Sequence, residues 1–64
     1  MIPPLMKKIA SFKDENNNIR TKVVVTFMSD LGITKPYDSA YNILKHMRNE
    51  KMIERVGIGL HKVL

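Results

Sequence analysis

The sequence predicts an α+β domain, mainly helical, in which three helices are closed by a C-terminal β-hairpin and residues 1–64 form one unit. Apolar residues recur at helical spacing in three segments, separated by residues that stop or start helices: the asparagines 16–18, then Gly32, then Pro36. The last segment, MIERVGIGLHKVL, instead sets two glycines between short runs whose residue types match across a turn.

The first helix is expected over about residues 4–15. In PPLMKKIASFKDENNN, Leu5, Met6, Ile9 and Phe12 share one side, while Lys7, Lys8 and Lys13 fall toward the other. Pro3 and Pro4 suit a first turn, where a backbone N–H has no partner to lose. The second segment, IRTKVVVTFMSDLGI, carries two signals: consecutive valines favour a strand, but Val24, Phe27, Met28 and Leu31 form a helical stripe. Helix is the better reading over about residues 21–31, because Thr21 is placed to cap its start and Gly32 to end it. Ile19 allows a short strand before it.

Pro36 opens a third helix over about residues 36–50. Lys35 stays outside, since a residue preceding proline avoids the helical region, and Asp38 in the first turn is favoured by the helix dipole. At about 100° per residue, Tyr37, Ala40, Tyr41, Leu44 and Met47 share a core face with Ile43 at its margin. Lys35, Asp38, Ser39, Asn42, His46 and Asn49 gather opposite, flanked by Lys45. The hairpin is expected over about residues 52–64, with a loop Gly57-Ile58-Gly59 that pairs Val56 with Leu60, Glu54 with Lys62 and Ile53 with Val63.

A chain of 64 residues buries only about 60% of its unfolded surface, and without cysteine it has neither disulfides nor thiolate metal sites to help it. Eleven Lys and Arg against six Asp and Glu give a net charge of +5, which favours an anionic partner. No apolar run approaches the ~20 residues of a membrane span, so a cytoplasmic protein without membrane contact is expected. His46 and His61 have no neighbouring ligands at metal-site spacing and read as surface histidines. Asp14 and Glu15 read as surface charge, and Met28, Met47 and Met52 as core filler. No phosphate loop, nucleophile motif or triad pattern occurs, so an enzyme, a cofactor or a small-molecule ligand is not expected.

The stretch TFMSDLGITKPYDSAYNILKHMRNEKMIERVGIG resembles the second helix, turn, recognition helix and first wing strand of winged helix-turn-helix transcriptional regulators. LGI stands where such families often have a glycine turn, AYNILKHM where the recognition helix carries its apolar stripe, and EKMIERVG where that helix passes into the wing. The likeness covers about residues 5–64, with a turn, ITKPYDS, about two residues longer than the commonest version.

The resemblance implies sequence-specific binding of double-stranded DNA by a small transcriptional regulator, more simply a repressor that occupies an operator, with no room for a ligand-sensing domain. The major groove admits one α-helix, and short hydrogen-bonding side chains near its N-terminus reach base edges. Ser39 and Asn42 are of that type, and Asn42 can make paired bonds to adenine. His46 and Asn49 lie further along, in reach of bases or backbone. Lys35 and Lys45 flank the helix as phosphate contacts, with Arg55 and Lys62 on the wing strands. Arg55, Gly57, Ile58 and His61 could graze the duplex, and Tyr37 either packs inward or touches a phosphate. The second helix's N-terminus, near Arg20, Thr21 and Lys22, is a further phosphate site.

The apolar start MIPPLM suggests a homodimer through the first helix, which would present two recognition helices to a palindromic site. Two other readings compete. One is a winged-helix protein-interaction module within a larger nucleic-acid-processing assembly. The other treats TKVVVTF as a strand, as in a ribbon-helix-helix dimer.

Overall fold

A computed structural model describes residues 3–64. Its elements are α1 (Pro4–Ala10), β1 (Asn18–Arg20), α2 (Thr21–Asp30), α3 (Pro36–Asn49), β2 (Ile53–Gly57) and β3 (Leu60–Val63). The strands form one antiparallel sheet in the order β1-β3-β2, so the strand that precedes α2 pairs with the last strand of the chain. Three helices and an antiparallel sheet give the expected α+β class, and the short strand at Ile19 is present.

Every element contributes to one apolar cluster, whose buried members are Met6 and Ile9, Ile19, Val24 and Met28, Ala40, Leu44 and Met47, and Ile53, with Val63 of β3 packed half-buried against them. Burying a Leu, Ile or Met side chain contributes about 1.5–3 kcal/mol. With no cysteine and so no disulfide, this cluster must offset the conformational entropy of ordering the chain.

The valine-rich segment is a helix. Val24 is buried completely, and the C-terminal end of α2 is set locally. At its C-terminus Gly32 takes φ 80°, the Gly32 N–H donates to the Ser29 carbonyl at 2.9 Å, and the Ile33 N–H donates to the Met28 carbonyl at 3.2 Å. This crossed pair is the Schellman ending, which requires a left-handed residue that glycine adopts without a Cβ penalty. A helix over this segment removes the ribbon-helix-helix alternative.

α3 ends the same way without a glycine. Lys51 is held at φ 59°, with its N–H on the Arg48 carbonyl at 3.0 Å and the Met52 N–H on the Met47 carbonyl at 2.9 Å. A left-handed residue with a Cβ costs about 1–2 kcal/mol, of which glycine's extra unfolded-state freedom cancels about 0.5–1 kcal/mol. Lys51→Gly is therefore expected to stabilise the fold by roughly 0.5–1 kcal/mol, read as a higher urea midpoint at unchanged m-value.

Four expectations need correction. The first helix stops at Ala10 rather than continuing to residue 15. Beyond it, the Asp14 carboxylate accepts the amides of Asn16 at 2.8 Å and Asn18 at 3.0 Å, a local bonding pattern that competes with helix. Asp14 is thus a loop organiser, and those two amides hold its pKa below the ordinary carboxylate value. Phe12 keeps its place against the core from a turn, meeting Phe27 edge-on at 4.9 Å between ring centres, with the Lys8 ammonium 5.7 Å from its own ring centre.

Thr21 is not a cap: Arg20 occupies that position, and Thr21 is the first helical residue with its side chain buried. Tyr37 and Tyr41 do not join the core, being 59% and 55% exposed. In the hairpin, Ile53 does face Val63 and Glu54 faces Lys62, but Leu60 pairs with Gly57 rather than Val56, which bulges out. The loop thereby shortens to Ile58 and Gly59, and only Gly59 needs a positive φ, at 64°.

Candidate nucleic-acid interface

The α2 N-terminus, one flank of α3 and the tip of the hairpin meet at a single place. The Thr21 N–H donates to the Gly59 carbonyl at 3.0 Å, which fixes the hairpin turn against the start of α2. Below it, Thr21 Oγ1 and His61 Nε2 lie 3.0 Å apart in a buried hydrogen bond. Around this junction runs a cleft of about 300 Å³ with walls of Tyr37, Tyr41 and Ile58 and a rim of Arg20 and Lys22. A smaller recess of about 110 Å³ adjoins Thr21 and His61 and is flanked by Arg48 and Arg55.

The tyrosines sit one turn apart on α3, their rings 5.5 Å between centres and inclined by 31°. Ile58, at the hairpin tip, is 96% exposed. Lys35, just before α3, and Asn42, Lys45, His46 and Asn49 along it are exposed, whereas Ser39 is half-buried. At 100° per residue the exposed Asn42, His46 and Asn49 form the arc opposite Ala40, Leu44 and Met47. On the hairpin, Arg55 and Lys62 are exposed and Gly57 is half-buried.

The expected site residues thus divide. Lys22, Tyr37 and Ile58 come together in one cleft, and Asn42, Lys45, His46 and Asn49 extend the same helix's exposed surface. Thr21 and His61 are withdrawn from any direct contact: they are 6% and 5% exposed, so neither is the surface group expected of it. His61 faces inward because it pairs with Ile19 across β1 and β3, on the core side of the sheet. Alternation along β3 carried that signal, since the two-residue period that turns Val63 inward turns His61 inward as well.

Two residues at the site are not among those the sequence suggests for it: Tyr41, expected in the core, and Arg48, expected as a solvated charge at the helix end. Tyr41 follows Tyr37 by four residues and shares its cleft, and Arg48 is half-buried beside the histidine.

Burial, then the Arg48 and Arg55 guanidiniums, push the His61 pKa below its ordinary 6.5. Its Nδ1 is buried with no protein partner. The folded state therefore favours the neutral ring, and the unfolded chain takes up a proton first as pH falls. The stability contributed is complete above about pH 6.5 and is lost as pH drops toward the depressed folded value. A thermal midpoint that declines below pH 6.5 in the wild-type chain, with a shallower decline in His61→Gln, is the expected result. Thr21→Val leaves the buried ring nitrogen unpaired and is expected to cost about 1–3 kcal/mol in urea unfolding.

A larger cleft, about 560 Å³, lies elsewhere, between the α1 exit turn and α2, where Phe12, Val23 and Phe27 line it together with Lys22, Thr26 and Asp30. No residue of α3 or the hairpin borders it. Of the apolar residues in the expected dimer contact, Leu5 of α1 is 38% exposed and Met6 is buried in the core, while Met1 and Ile2 lie outside the described residues. Among the described residues no helix is long and apolar enough to cross a membrane. No protein-family model, curated protein or solved structure matches the chain.

Proposed function

We propose that the chain is a winged helix-turn-helix domain that binds double-stranded DNA, with α3 as the recognition helix and the β2–β3 hairpin as a short wing. The observation that carries this reading is the meeting of the α2 N-terminus, α3 and the hairpin tip around one cleft with a basic rim. The element order and the β1-β3-β2 sheet support it, because pairing β1 with β3 brings the start of α2 to the hairpin turn.

Exposed Asn42, with His46 and Asn49 on the same arc, has the short polar groups that read base edges. Arg20, Lys22, Lys35, Lys45, Arg55 and Lys62 are exposed cations suited to phosphates. Such a domain would regulate transcription by occupying its site, with repression the simplest outcome.

The test is fluorescence anisotropy with a labelled duplex at two salt concentrations, followed by selection of a preferred sequence. Binding should favour duplex over a single strand of equal length and weaken steeply with salt. Asn42→Ala should then relax preference at one base pair by about 1–3 kcal/mol, whereas Lys45→Ala should weaken all sequences alike. Absence of binding at low salt would favour a protein-interaction module instead, for which exposed Tyr37, Tyr41 and Ile58 offer the aromatic and apolar anchors.

A further inference from the structure

Ile58 occupies a position where hairpins of two-residue loops ordinarily carry Asn, Asp or Gly, and it is 96% exposed. The tip that carries it is held: the Gly59 carbonyl accepts the Thr21 N–H, and the Gly57 carbonyl accepts Arg55 Nε at 3.4 Å. An apolar side chain is thus presented to solvent on an anchored turn. Beside it, Tyr37 and Tyr41 stay more than half exposed although they line a concave surface. Arg20 and Lys22 add cations to the lining, beside Thr21 and Gly59.

Aromatic faces and an apolar wedge with cations at the rim are the chemistry that receives an unstacked nucleobase and its phosphates. A matched B-form duplex offers base edges and phosphates but no base faces, so it would leave this part of the surface unused. A peptide could cover the same apolar groups, but the Arg and Lys rim and the net charge of +5 favour a ligand carrying phosphates.

We infer that the cleft between Tyr37, Tyr41 and Ile58 takes a single unpaired base from a DNA duplex, with Ile58 filling the step that the base leaves. The inference rests on the proposed DNA-binding function and adds the form of DNA preferred. Removing a base from a matched stack costs a few kcal/mol and offsets the gain from stacking on tyrosine. A bulged base has already left its pair, so the protein keeps most of that gain.

Anisotropy with the full chain and two labelled duplexes, one matched and one identical except for a single bulged adenine, tests this directly. The bulged duplex should bind on the order of ten-fold tighter. Ile58→Ser and Tyr41→Leu should each bring the ratio of the two affinities close to one, with circular dichroism confirming that the variants fold. Tyr41→Phe, which keeps the ring face, should preserve the ratio. Equal affinities of the wild-type chain for the two duplexes would overturn the inference and leave duplex binding standing. Failure to bind either would overturn both.

Discussion

Leu44→Ala is expected to remove a large part of the protein's stability and to lower its thermal midpoint by roughly 10 °C or more. Leu44 is 1% exposed and belongs to the cluster that joins the three helices to the sheet. Truncating a buried leucine costs about 2–5 kcal/mol, through lost transfer energy and a cavity that neighbours fill only in part. A 64-residue domain has about 3–10 kcal/mol in total. Neighbouring core groups come from α1, β1 and β2 as well as the helices, so a collapse that heals the cavity would have to move several elements at once. Differential scanning calorimetry of the variant measures the effect, and a midpoint within a few degrees of wild type would show that α3 is seated differently from this description.

The second large effect concerns binding. Arg20, Lys22 and Arg55 are exposed and border the two recesses at the hairpin tip. Replacing all three by alanine is expected to lower duplex affinity by roughly ten-fold or more at low salt. It should also reduce the slope of log affinity against log salt by about 2–3, close to one per lost phosphate contact. The comparison that gives this meaning is Lys7→Ala, Lys8→Ala and Lys13→Ala together, which removes the same charge from α1 and the turn after it. A local interface predicts a much smaller loss there. Equal losses from the two triple variants would mean that overall charge, not this surface, attracts DNA.

Local signals account for what could be read from sequence. Pro36 and Gly32 act within a turn of themselves, and the end of α2 and the start of α3 follow from them nearly residue for residue. Where a side chain's fate depended on a distant strand, sequence was a poor guide. Thr21 has the chemistry of a cap, but β3 brings His61 to it and its hydroxyl turns inward. Tyr37 and Tyr41 lie on the edge of α3's apolar arc, and only the packed structure shows that the core ends at Ala40, Leu44 and Met47. Phe12 extended a helical stripe that the Asp14 loop in fact interrupts.

Of the candidate site, the exposed polar arc of α3 was legible from periodicity alone. The cleft was not, because it is assembled from β1, α2, α3 and the hairpin turn.

The most direct test of the proposed interface is an amide proton–nitrogen correlation spectrum of the labelled protein, recorded while a short duplex is added at low salt. Binding through the α2 N-terminus, α3 and the hairpin tip predicts the largest shifts at Lys22, Tyr37, Tyr41, Asn42, Lys45 and Ile58, with Lys7 to Ala10 almost unmoved. Shifts confined to the cleft of Phe12, Val23 and Phe27, or no shifts at all, would contradict it.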